Sequence, residues 1–259
     1  MQDISEIINL KDHPITNKNY LNSCLNVLQD KSVLILKNFL NNDSLNNILN
    51  EALLLEPKAF YCNQKHTVLL NKTNINLSKN NPLNIEVTSD KGCVPHDLIN
   101  QDSPLNILYH SNIFKNFLLY VLNINKIFPY KDKLSSINYN YYQNKQQLGW
   151  HFDNASFAIT LMIQSADTGG IFEYISDVRD YKNNYINKKL IGEILNNKVK
   201  CEELLVNPGT LVLFYGRNYL HRVTPVKSLK PRILVTLNYN EEKNVELSEN
   251  ARVTFFGRL

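Results

Sequence analysis

The sequence predicts an α+β fold, with a β-rich second half closing into a sandwich or barrel and first-half helices buttressing one of its sheets. Three observations lead there. Short alternating or apolar runs succeed one another from Leu134 onward. Gly169-Gly170 and Pro208-Gly209 punctuate them as turns. Stripes of helical spacing are confined to the first half of the chain.

The elements follow in order. Tyr20 to Asp30 carries Leu21, Cys24, Leu25 and Leu28 on one helical stripe. Ser32-Val33-Leu34-Ile35-Leu36 has neither Gly nor Pro and reads as a strand. Asp43-Ser44 is placed to cap a helix through Leu45, Ile48, Leu49 and Ala52. Lys72 to Pro82 is polar and Asn-rich, a loop, and Ile113 to Val121 reads as a helix. In the second half, Leu134 to Tyr142 alternates, with Ile137, Tyr139 and Tyr141 on one face. Leu148 to Asp153, Phe157 to Ile163, Ile171 to Tyr174, Thr210 to Tyr215, Leu220 to Val223 and Ile233 to Tyr239 complete the strands. Residues 177–197 form a polar, charged insertion. That insertion and the 72–82 loop are the candidate lids.

Composition narrows the function. With 259 residues, 43% hydrophobic and 20% charged, the chain is ordinary for a globular protein. A net charge of +4 with no long Lys/Arg cluster argues against a nucleic-acid groove. No apolar run approaches the roughly 18 residues of a membrane span, and Met1-Gln2-Asp3-Ile4-Ser5-Glu6 has no basic leader. Cys24, Cys62, Cys93 and Cys201 form no CxxC pair, so zinc-knuckle chemistry is unsupported and a cytoplasmic protein with reduced thiols is expected.

The chemistry lies in two short runs. Gly149-Trp150-His151-Phe152-Asp153 holds a His-x-Asp pair, and Tyr219-Leu220-His221-Arg222-Val223 holds a second histidine. Alternate residues of an extended segment project to the same side, so His151 and Asp153 converge while Phe152 points away. Two imidazoles and one carboxylate make the facial triad that holds non-haem Fe(II) and leaves positions open. Zinc or manganese suits the same donors, but no general base for hydrolysis stands nearby. Arg232 heads the apolar strand Ile233-Leu234-Val235, where a guanidinium is costly unless an anion meets it. It is the candidate clamp for the C5 carboxylate of 2-oxoglutarate. Arg222 competes for that role, but alternation sends it opposite to His221. Tyr139 is the candidate for an added hydroxyl on the same carboxylate. Candidate substrate contacts are Trp150, for which packing is the favoured alternative, Glu173, otherwise a strand-end charge, and Thr236 and Asn238, with Asn240 following on the same alternation, otherwise a solvent-facing polar edge.

These residues resemble those of the Fe(II)/2-oxoglutarate-dependent oxygenases, and the resemblance implies a double-stranded β-helix (jelly roll, cupin-like) core. A closer likeness runs through His96-Asp97-Leu98-Ile99, Pro104-Leu105-Asn106-Ile107-Leu108-Tyr109, Leu148 to Asp153, Gly169 to Tyr174 and Val178-Arg179-Asp180. These segments are similar to the bacterial group of free-amino-acid (lysine-type) radical halogenases and their hydroxylase relatives. That implies one domain over 1–259, with 1–130 as mixed support and 131–245 as the core carrying the iron site. It implies Fe(II), 2-oxoglutarate and O2 as cofactors, and a free amino acid as substrate, a basic one among the candidates. Halogenases of this group replace the carboxylate ligand by a small residue. Asp153 is present here, so the expected outcome is hydroxylation of an unactivated C–H with release of succinate and CO2. One departure is Leu234, where the superfamily often has Ser or Thr. The rival readings are a peptide or protein hydroxylase, a nucleic-acid demethylase of the same superfamily, and a non-catalytic β-barrel binding module.

Overall fold

The structure, a computed structural model, describes residues 3–259. Its helices are α1 (Lys18–Lys31), α2 (Asn42–Leu55), α3 (Pro104–His110), α4 (Asn112–Val121), α5 (Lys188–Leu195) and α6 (Glu249–Phe256). The principal strands are β1 (Val33–Leu36), β2 (Phe60–His66), β3 (Val87–Val94), β4 (Ile137–Tyr142), β5 (Leu148–His151), β6 (Ala158–Gln164), β7 (Phe172–Ile175), β8 (Glu202–Leu204), β9 (Leu211–Phe214), β10 (Leu220–Val223) and β11 (Arg232–Leu237). A seven-stranded sheet runs in the order β1-β9-β6-β11-β4-β3-β2, and a four-stranded sheet runs β8-β7-β10-β5. Every pairing in both sheets is antiparallel.

Alternation along the large sheet sorts its side chains into two environments. Ile137, Tyr139 and Tyr141 of β4, Leu161 of β6, and Ile233 and Val235 of β11 join α1 to α4 in one apolar cluster. Their neighbours Asn140, Tyr142, Thr160, Met162, Arg232 and Leu234 face the other way and line a cavity with residues of the small sheet. Helices α1 to α4 therefore cover one face of the large sheet, and the small sheet covers the other.

Local chemistry explains the ends of the elements. Asn17 caps α1, accepting from the amides of Asn19 and Tyr20, and Ser32 ends it with a left-handed backbone. Helix α2 starts earlier than the sequence predicts. Asn41 occupies the cap position, Asp43 falls in the first turn, and the buried Ser44 hydroxyl donates to Glu6 O at 2.9 Å. Strands β2 and β3 have no counterpart in the sequence reading, nor do α3 and α6. The 177–197 insertion contains a packed helix: Asn187 caps α5, and Ile191 and Ile194 are buried in a cluster with Trp150, Phe152 and Leu220. No helix among the described residues is long and apolar enough to cross a membrane.

Candidate metal centre and co-substrate cavity

His151 ends β5 and His221 sits in β10, and the two are direct partners across the antiparallel ladder. Their ring centroids are 4.2 Å apart. Asp153 follows β5, its amide donating to Gly216 O at 3.1 Å. Its Oδ1 lies 3.5 Å from Nε2 of His151 and 3.5 Å from Nε2 of His221. Phe152, between the ligand candidates, is buried in the outer cluster of the small sheet, as alternation requires.

The donor set fits a divalent metal. One donor atom from each of the three residues lies within 4.8 Å of the others. Metal bonds of roughly 2 Å bring neighbouring ligands to about 3 Å of one another, so little closure is needed. The tautomers also suit. His151 Nδ1 lies 2.8 Å from Gly149 O, and His221 Nδ1 lies 3.0 Å from Tyr219 O. A carbonyl only accepts, so each Nδ1 carries a proton and each Nε2 is left to face the centre. A further relay supports His151: Gly149 N donates to Ser89 Oγ at 2.9 Å, and Ser89 in turn contacts His66 Nε2 at 2.6 Å. Burial, and then His221, push the His151 pKa down. Burial alone would raise that of Asp153, but His221 and His151 outweigh it and hold the carboxyl well below the usual range. Space for this carboxylate is built in: a Cβ on Gly216 would stand 1.9 Å from Asp153 Oδ2.

These three residues share a cavity of about 300 Å³ with Arg232. Arg232 is 3% exposed, and its Nε and Nη1 have no hydrogen-bond partner among the described residues. Its Cζ lies 5.3 Å from the centre of the Tyr142 ring, and Tyr142 is its partner across the ladder. Burial pushes its pKa down. A buried, unpaired guanidinium costs several kcal/mol unless an anion occupies the site, so Arg232 reads as half of an ion pair. Gly170 makes room for it: a Cβ there would sit 3.0 Å from Arg232 Cδ. Arg222, the competitor, is already satisfied. It donates to Glu173 Oε2 at 2.6 Å and stacks over Trp150 at 4.7 Å.

Several expected contacts are corrected. Tyr139 does not enter the cavity; its hydroxyl donates to Glu51 Oε2 at 2.7 Å on the helical side of the sheet. Trp150, adjacent to a ligand candidate on one strand, must point opposite to it and packs in the outer cluster. Glu173 is the ion-pair partner of Arg222, outside the cavity. Asn238 lies just beyond β11 and donates to Ser135 O at 2.7 Å and Asn138 Oδ1 at 3.0 Å. Asn240 also does not line the cavity. Thr236 does line it. The sequence reading missed Tyr142 and Asn140, on the opposite face of β4 from Tyr139, and Lys91, on the unpredicted strand β3. A Tyr-Asn-Tyr-Tyr strand offers polar groups to both faces, and that was the available signal. A larger open groove of about 1140 Å³ runs past His96, His110 and Lys131 and, among the described residues, holds no three-residue metal cluster.

Fold and centre together define the class. The architecture is the double-stranded β-helix of the Fe(II)/2-oxoglutarate oxygenases. An oxidoreductase of the 2OG-Fe(II) oxygenase family from Burkholderia pseudomallei superposes with TM-score 0.55 at 12% identity, over 89% of this chain and 95% of that one. A Trichoplax adhaerens prolyl hydroxylase, solved with a hypoxia-inducible-factor peptide, gives 0.53 at 15% identity, over 88% and 92%. The epimerase SnoN from nogalamycin biosynthesis, solved with Fe3+, α-ketoglutarate and nogalamycin RO, gives 0.56 at 11% identity, over 86% and 84%. No curated protein matches the chain in sequence. The chain belongs to the halogenase D (HalD) family, whose model matches residues 17–254.

Proposed function

We propose that this protein is an Fe(II)- and 2-oxoglutarate-dependent dioxygenase that hydroxylates an unactivated C–H of a small substrate, a free amino acid. His151, Asp153 and His221 would hold the iron, and Arg232, beside Tyr142, would grip the far carboxylate of 2-oxoglutarate. Bound iron and co-substrate supply the activation of O2, with succinate and CO2 as co-products. The protein's own part is placement. Backbone carbonyls fix both imidazoles, Gly216 leaves room for the carboxylate, and the apolar walls from Phe172, Phe214 and Met162 limit water.

The observation that carries this reading is the three donor atoms gathered within 4.8 Å in one cavity with an unpaired arginine. Membership of a halogenase family raises chlorination as the second reading. Asp153 favours hydroxylation, because its oxygen stands 3.5 Å from both imidazole nitrogens, where a chloride would need an open position. Turnover with Fe(II), 2-oxoglutarate, O2 and chloride across a panel of amino acids tests both. We expect substrate-dependent succinate and a product heavier by one oxygen atom. A chlorinated product would overturn the hydroxylase reading, and the absence of succinate with every substrate would overturn the oxygenase reading.

A further inference from the structure

The charge lining the cavity is lopsided. Among the described residues, Lys91 and Arg232 are its two Lys/Arg side chains, and Asp153 is its one carboxylate. The other acids nearby are committed elsewhere. Asp90 alternates to the opposite face of β3 and accepts from Gln147 N at 2.8 Å. Glu51 takes hydrogen bonds from Tyr139 and Ser103 behind the large sheet, and Glu173 pairs with Arg222.

Lys91 is built into the wall. It lies directly across the ladder from Cys62, and its Nζ donates to Asn140 Oδ1 at 2.6 Å. The Phe255 ring of α6 lies 5.4 Å from that nitrogen. Asn140 Nδ2 is bound in turn to Asn138 O at 3.2 Å, which fixes the amide with its oxygen toward the lysine. An ammonium has three donors, and a neutral amide oxygen satisfies one of them. This geometry leaves a positioned cation with unused donors facing the cavity.

Granting the reading above, Fe(II) and the 2-oxoglutarate dianion cancel, and Asp153 offsets one cation. One positive charge then remains in a site with little water to screen it. We propose that Lys91, held by Asn140, is a second carboxylate subsite that determines specificity. It holds a carboxylate of the primary substrate, and the cavity disfavours substrates whose side chain is cationic. A basic amino acid would bring an ammonium into a cavity that has no free carboxylate to receive it. Among free amino acids, those with neutral or acidic side chains fit this charge pattern.

The test uses anaerobic calorimetry on the full chain. Wild type, Lys91→Met, Lys91→Arg and Arg232→Met are each titrated with 2-oxoglutarate in the presence of Fe(II). The loaded proteins are then titrated with hexanoate and with n-hexylammonium. We expect 2-oxoglutarate affinity to stay within about threefold in Lys91→Met and to fall about 100-fold in Arg232→Met. Hexanoate should bind loaded wild type, weaken by about 10- to 100-fold in Lys91→Met, and recover in Lys91→Arg. Hexylammonium should bind loaded wild type at least about tenfold more weakly than hexanoate. The inference is overturned if hexanoate does not bind loaded wild type, if it binds Lys91→Met equally well, or if hexylammonium binds as tightly. It is also overturned if Lys91→Met loses 2-oxoglutarate as Arg232→Met does, because Lys91 would then serve the co-substrate. Failure of wild type to bind 2-oxoglutarate at all would instead count against the oxygenase reading.

Discussion

Asp153 decides what this centre can do. Its carboxylate sits between two imidazoles whose outer nitrogens are tied to backbone carbonyls, so with iron bound as proposed this one side chain would set both the charge and the number of open positions. Gly216→Ala tests how tightly that carboxylate is seated. The new Cβ would fall 1.9 Å from Oδ2, so Asp153 must move. Iron affinity should drop by roughly 10- to 100-fold with the circular-dichroism spectrum unchanged. Arg232 gives a prediction with two opposite signs. In ligand-free protein, Arg232→Met removes a buried cation without a partner and should raise stability by about 1–4 kcal/mol, read from urea denaturation. The same variant should lose 2-oxoglutarate binding. At this scale much of the site is legible in sequence. His-x-Asp, the distant histidine and the arginine at the head of a strand are recognisable because metal and carboxylate chemistry restrict the residue types. Packing is the favoured alternative for Trp150, and the alternation that placed Phe152 gives the reason, since a strand neighbour of His151 must face away from it.

Elements were harder to read than residues. Alternation divides Ile137 to Tyr142 into two faces, but only the packing of α2 against the sheet decides which face meets helices. Tyr139 went to the helical side and Tyr142 to the cavity. Tyr139→Phe should therefore cost about 1 kcal/mol of stability through loss of the Glu51 hydrogen bond, and leave 2-oxoglutarate affinity unchanged. Strands β2 and β3 escaped the sequence reading for a related reason. Gln64, His66, Ser89 and Lys91 supply polar side chains to the cavity wall, so the hydrophobic alternation that marks an ordinary strand is missing where the site is built. The pairing of Arg222 with Glu173 is likewise invisible until β10 and β7 are in register.

Across the whole molecule, the C-terminal segment closes one wall. Phe255 of α6 reaches the cavity, Phe256 packs with Cys93 and Leu134, and Arg258 Nη2 donates to both Asp97 oxygens at 2.7 and 2.9 Å. Asp132 ties this segment to the body. It accepts from Leu134 N, Ser135 N, Ser135 Oγ and Leu247 N. Burial would raise its pKa, but these hydrogen bonds outweigh that and hold it below 3.8. The sign follows from a native pKa depressed below the unfolded one: the stabilisation is present above 3.8 and is lost as pH falls through the native value. Asp132→Asn should therefore flatten the stability profile in that acid window, measured by urea denaturation across pH.

The account rests on one metal ion shared by three side chains on two neighbouring strands and the turn after them. Anaerobic Fe(II) titration in the presence of 2-oxoglutarate, on wild type and on His151→Ala and His221→Ala, tests it most directly. The account predicts one iron per chain in wild type and a loss of at least about 100-fold in affinity in each variant. Iron binding with the same stoichiometry and affinity in all three proteins would contradict it.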